Sequence, residues 1–174
     1  MTGLRKGHSY TQIQRPYTRK SKFKGKGYVK AIPTSKIVRF DMGEVSKKFT
    51  HQVHLVSLQD IQIRHNSLES SRQIINRNLI EHLGGNNFYF LIRAYPHHVL
   101  RENKMITGAG ADRMQTGMQL AFGRPVGIAA QVKKRKKLFT VRINEDGVEK
   151  AKQALMKATP RIPGKYKILI EKII

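Results

Sequence analysis

The stretch Ile106–Met118, ITGAGADRMQTGM, is glycine-rich and runs into a helix-like pattern, an arrangement in which backbone amides can cradle a nucleotide phosphate. Two motif tests go against that chemistry. A P-loop needs Gly-Lys-Ser/Thr after four intervening residues, and the fifth residue after Gly108 is Arg113. A dinucleotide fingerprint needs three glycines; Gly108 and Gly110 take the first two places and Arg113 stands at the third. Asp112 followed by Gln115 also has the spacing of a helix cap, with Met114, Gly117, Met118 and Ala121 at helical intervals behind it. A capping carboxylate occupies the amides that an anion would otherwise use. A weakly basic loop remains, flanked by Arg101, Lys104 and Arg113, whose glycines let the backbone approach a large partner closely.

Other catalytic constellations are equally thin. His51 and His54 are spaced i, i+3 on a strand-like segment, which turns their rings to opposite faces, and no carboxylate cluster accompanies them or His97-His98. The metalloprotease pattern His-Glu-x-x-His is absent, and no serine sits in a Gly-x-Ser-x-Gly elbow. The few carboxylates are scattered, and the chain has no cysteine. No metal, no cofactor and no enzymatic activity are expected.

Charge points elsewhere. The 174 residues carry 34 Lys and Arg against 11 acids, a formal charge of +23. Self-repulsion of that size favours a polyanionic partner, and nucleic acid is the foremost one. No apolar run is long enough to span a bilayer, and the N-terminus has no apolar centre of a signal peptide, so a cytoplasmic protein is expected. Residues 1–40 hold eleven Lys or Arg and no acid, the first carboxylate being Asp41. With little apolar periodicity, residues 1–35 read as a basic extended arm ordered mainly by RNA, in which Tyr10, Tyr17, Phe23 and Tyr28 are interleaved with cations. The candidate RNA-binding residues of this region are Arg5, Lys6, Arg15, Tyr17, Arg19, Lys20, Lys22, Lys24, Lys26 and Lys36. On the core they are Arg64, His65, Arg72, Arg77 and the run Lys133, Lys134, Arg135, Lys136 and Lys137.

Residues 36–174 have globular patterning. VHLVSLQDIQI, 53–63, reads as one strand with apolar residues on both faces. NSLESSRQIINRNLIEHLGG reads as a helix with an Asn66/Glu69 capping box, a stripe of Leu68, Ile75, Leu79 and Leu83, Arg72 and Arg77 outward, and Gly84 or Gly85 as its stop. NFYFLIRAY and HHVLR follow as strands. PVGIAAQV and KLFTVRI read as a hairpin joined by Lys133–Lys137, NEDGVEKAKQALMKATP as a helix capped by Asn144, and GKYKILIEKI as a closing strand. Without regular βαβ alternation, the fold class is α+β: a mostly antiparallel sheet packed with two main helices, plus the basic arm and a protruding glycine-rich loop, 102–114.

The runs RHNSLESSRQIINRNL and YPHHVLRENKMITGAGADRMQTGMQLAFGRPVG resemble the universal large-subunit ribosomal protein family L-sixteen, in its archaeal and eukaryotic L-ten-e branch. RPYTRK and IPTSKIVRFDMG are similar to that branch too. The sequence ends with KYKILIEKII, without the longer extension expected of a eukaryotic member, so an archaeal source is expected. The resemblance implies a monomeric structural constituent of the large ribosomal subunit that binds its rRNA near the aminoacyl-tRNA site, beside neighbouring ribosomal proteins. It further implies that Arg101, Glu102, Asn103, Lys104, Thr107, Gly108, Ala109, Gly110, Ala111, Asp112 and Arg113 form a loop pointing toward the peptidyl-transferase centre, where RNA performs the chemistry. The rival readings are a free-standing RNA-binding or RNA-chaperone module, and a small RNA-modifying enzyme whose cofactor site the sequence does not supply.

Overall fold

The computed structural model describes residues 5–18, 23, 29, 31–103 and 123–173. Among these, the strands are β1 (Asp41–Gly43), β2 (His51–Ser57), β3 (Ile61–Arg64), β4 (Phe88–Ile92), β5 (His98–Glu102), β6 (Arg124–Val132), β7 (Lys137–Ile143) and β8 (Tyr166–Lys172). The helices are α1 (His65–Leu83) and α2 (Val148–Ala158). Every pairing is antiparallel, in a five-stranded sheet ordered β1-β4-β7-β2-β8 and a three-stranded sheet ordered β3-β6-β5. The fold is α+β.

One core joins both sheets and both helices. Val53 pairs with Val141, which pairs with Phe90; Leu55 pairs with Phe139, which pairs with Ile92. Because cross-strand partners share a face, this apolar row lies on one side of the larger sheet. It clusters with Leu68, Ile75 and Leu79 of α1, Ala151, Ala154 and Leu155 of α2, and Ile61, Ile63, Ala130 and Val132 of the smaller sheet. The small residues of α2 let that helix lie close to the strands. Burying each large aliphatic side chain contributes roughly 1.5–3 kcal/mol.

The helix stripe stands where the 3.6-residue repeat places it: Leu68, Ile75 and Leu79 are buried and Leu83 is half-buried. Gly84 ends α1 at φ 78°, a conformation that side chains resist, with its N–H on the Ile80 carbonyl. The start differs from the expected capping box. Arg64 takes the cap position, Asn66 Oδ1 accepts the Ser67 N–H, and both Glu69 oxygens are bound by the Arg72 guanidinium, at 2.8 and 2.6 Å. A charged bidentate partner outcompetes a backbone amide for that carboxylate. Asn144 likewise makes no side-chain cap; a single 3-10 turn, Glu145–Gly147, precedes α2.

Two expectations about strands are corrected. Residues 53–63 are not one strand, because the turn at 58–60 sends β2 and β3 into different sheets. Nor are β6 and β7 a hairpin: β6 is the centre of the smaller sheet and β7 of the larger. Both segments are apolar enough to be central in separate sheets, a distinction that strand periodicity does not carry. The strand expected over 87–95 ends at Ile92, and β1 is an additional edge strand on β4. The cap at Asp112 and the helical intervals behind it lie outside the described residues.

Candidate nucleic-acid interface

The described N-terminal segment lies across the outer face of the smaller sheet and is tied to all three of its strands. On β3, Gln62 donates its backbone N–H to the Thr11 carbonyl (2.9 Å) and its side-chain amide to the Tyr10 carbonyl (2.8 Å). On β6, Gln131 Nε2 donates to the Gln14 carbonyl (2.8 Å). On β5, the Val99 N–H donates to the Tyr17 carbonyl (3.1 Å), and the Tyr17 N–H donates to His98 Nδ1 (2.8 Å). Residues 10–17 thus take up one backbone N–H on each edge strand of the sheet, a group that would otherwise stand unpaired. Tyr10 is buried against Leu100 and Ala129, and Tyr17 packs beside Val29, Val99 and Ile128, so this stretch of the expected arm lies against the core domain. Arg64 lies over the Tyr10 ring at 5.0 Å and Arg101 over the Tyr17 ring at 4.0 Å, so each tyrosine face offers its π-cloud to an arginine of this chain.

The other expected site residues divide by exposure. Arg5, Lys6, Arg15, Lys36, Arg77, Lys133, Lys134, Arg135 and Lys136 are exposed. Lys137 is half-buried and held by Glu171 at 2.7 Å. Arg72 does not face outward as expected; it is packed between Glu69 and the Met42 sulfur, while Arg77 does stand in solvent. The two arginines border a shallow groove of about 430 Å³ along α1, with Gln73, Asn76, Ile80 and Glu81. His65 is half-buried and its Nδ1 accepts the Lys36 N–H at 3.2 Å. Arg101, Glu102 and Asn103 form the half-buried root of the glycine-rich loop, with Glu102 paired in register with Arg124. Arg19, Lys20, Lys22, Lys24, Lys26, Lys104, Thr107, Gly108, Ala109, Gly110, Ala111, Asp112 and Arg113 lie outside the described residues.

The histidines that invited a metal are otherwise engaged. His54 is buried, with Nδ1 on Thr140 Oγ1 (2.9 Å) and Nε2 on Glu171 (3.1 Å), whereas His51 on the opposite face contacts Thr50. Burial, and then the charge of Lys137, lower the His54 pKa against the opposing pull of Glu171. Lys137 in turn holds the half-buried Glu171 carboxyl below its ordinary range. His98 is buried while His97 is exposed beside the Tyr95 ring. Among the described residues, no three His, Asp or Glu converge as a metal cage.

Sequence reading overlooked Lys165 and Lys167, exposed cations that the register sets beside the lysine-rich turn. Their only signal is that they alternate with Tyr166 at the start of β8.

A profile of the family described as ribosomal protein L16p/L10e matches residues 13–169. Similar proteins, each named large ribosomal subunit protein uL16, come from archaea. That of Methanosphaerula palustris is 45% identical over 168 residues, 96% of this chain and 94% of the relative. A Methanococcus maripaludis protein is 45% identical over 170 residues, 97% and 95% of the two chains. That of Staphylothermus marinus is 44% identical over 161 residues, 92% and 89%.

Proposed function

From the premise that this chain belongs to the ribosomal protein L16p/L10e family, we propose how its surface serves the large ribosomal subunit. It is a structural constituent of that subunit in translation, not an enzyme. The further reading is that its exposed cations neutralise phosphates of the large-subunit rRNA near the aminoacyl-tRNA site in the cytoplasmic ribosome. The loop 102–114 is assigned the role of reaching toward the peptidyl-transferase centre, where it supports tRNA placement while RNA carries the catalysis. The family match over residues 13–169 carries this reading, and the charge of +23 supports it.

Two roles separate within the N-terminal region. Residues 10–17 complete the smaller sheet, and the cations before and after them supply phosphate contacts without sequence readout. Co-sedimentation with isolated large subunits across a salt series tests the reading. Binding is expected to be retained at low salt and lost steeply as salt rises, because each phosphate contact releases counterions. A chain lacking Thr107–Ala111 is expected to co-sediment equally well yet slow translation. Equal affinity for unrelated RNAs, with no preference for the subunit, would instead favour the free-standing RNA-binding module.

A further inference from the structure

We propose that two of the crossovers between the sheets build one rigid six-cation platform that grips the phosphate backbone of duplex RNA, and that Lys165 and Lys167 belong to it. The proposal rests on the RNA-binding reading above and adds to it two residues, a preformed geometry and a form of RNA.

The chain passes from the larger to the smaller sheet at 58–60, between β2 and β3, and from the smaller to the larger at 133–136, between β6 and β7. These two turns run side by side, and the segment entering β8 packs against them. Backbone hydrogen bonds lock all three. Arg135 N–H donates to the Ser57 carbonyl (2.7 Å), Ser57 N–H to the Lys136 carbonyl (3.1 Å), and Leu58 N–H to the Lys165 carbonyl (3.0 Å). Arg135 has φ 67°, the one positive value among the described non-glycine residues, so the frame holds its backbone where a side chain ordinarily resists. Gly164, at φ 99°, presses so closely on the core that a Cβ there would stand 2.6 Å from Ile61 Cδ1. This is a frame set by the fold rather than a tail ordered on binding.

Lys133, Lys134, Arg135, Lys136, Lys165 and Lys167 all project from this frame into solvent. Asp60 is the single carboxylate in the three turns, and its Oδ1 accepts the Lys134 N–H at 2.6 Å. Lys137 is set apart by its pairing with Glu171. The platform therefore presents concentrated positive charge on a backbone that loses little freedom when a polyanion arrives.

Among the described residues of these turns the one aromatic is Tyr166, which offers no free face to an unpaired base. Tyr166 is half-buried against the core and its hydroxyl donates to the Pro163 carbonyl. Single-stranded RNA is held largely by stacking, whereas a duplex hides its bases and offers ridges of phosphate. Cations without stacking partners match the duplex.

Fluorescence anisotropy of the full chain with a labelled RNA duplex of about 20 base pairs, and with one of its strands, tests this across a salt series. Wild-type chain is expected to prefer the duplex. K165Q/K167Q is expected to lower duplex affinity roughly tenfold at moderate salt and to reduce the log-log salt slope by about 2. K150Q/K152Q removes the same charge from α2 and is expected to cost far less. Circular dichroism and a thermal melt verify that each variant is folded. Should folded K165Q/K167Q bind as wild type does, should the α2 variant lose as much, or should wild type prefer the single strand, the platform is refuted. A wild type that binds neither RNA would overturn the RNA-binding reading itself, a distinguishable outcome.

Discussion

His54, His65 and His98 each use Nδ1 inside the fold, and for two of them the partner is a backbone N–H of the N-terminal segment. Only an unprotonated ring nitrogen can accept from the Tyr17 and Lys36 amides. Burial lowers the pKa of all three, seconded by Arg101 at His98, by Lys36 and Arg64 at His65, and by Lys137 at His54. The unfolded chain, with histidines near the ordinary value of about 6.5, therefore takes up protons first as pH falls. The stability these rings contribute is fully present above that value and is lost as pH drops toward their lower folded values. Urea denaturation between about pH 7.5 and pH 5 is expected to show a constant midpoint down to roughly 6.5 and a falling one below. A midpoint that rises on acidification would contradict the neutral, accepting rings. The sequence displays the histidines but not this use of them, because the partners of His98 and His54 stand 81 and 86 residues away. Arg72 shows the same limit. Its i, i+3 relation to Glu69 is visible in the sequence, yet helical spacing alone does not tell a solvated charge from a half-buried ion pair.

At the scale of elements, both helices and the closing strand are legible because periodicity and chain breakers agree locally, as at Leu68, Ile75, Leu79 and Gly84. The partnership of strands is not legible. A four-residue connection between β6 and β7 has the length of a hairpin loop, and only the pairing of β6 with β3 and β5 puts it in the other sheet. The strap over that sheet escapes for a related reason: between Tyr10 and Tyr17 its anchors are mostly backbone carbonyls, which any sequence possesses. Tyr10 is its apolar anchor, and its hydroxyl is buried with no hydrogen-bond partner among the described residues. Tyr10→Phe removes this buried hydroxyl and is expected to leave stability unchanged or slightly higher. Tyr10→Ala empties the site and is expected to cost about 3 kcal/mol. In that variant the Gln62 and Val99 amides, which donate to Thr11 and Tyr17, are expected to lose protection in hydrogen exchange while the Leu55 amide keeps it. Uniform loss at all three amides would mean that the strap is inseparable from the main core.

For the whole molecule, one charge distribution has two opposite consequences. Several carboxylates are spent within the chain: Glu69 on Arg72, Glu171 on Lys137 and His54, Asp41 on Tyr89. The cations they leave unmatched crowd a small surface, and the isolated chain carries that repulsion into its folded state, where charges are closer than in the unfolded one. Raising chloride from about 0.1 M to about 1 M shortens the screening length from about 10 Å to about 3 Å. The melting temperature of the free protein is therefore expected to rise by a few degrees over the range in which its affinity for RNA collapses. A thermal melt of the same preparation used for RNA binding reads both signs. If the melting temperature stays flat or falls with salt, repulsion is not what the partner relieves, and the affinity must come from specific contacts. If it rises as expected, RNA acts on this protein as salt does, and more strongly, by bringing phosphates to the positions where the fold has already gathered its lysines and arginines.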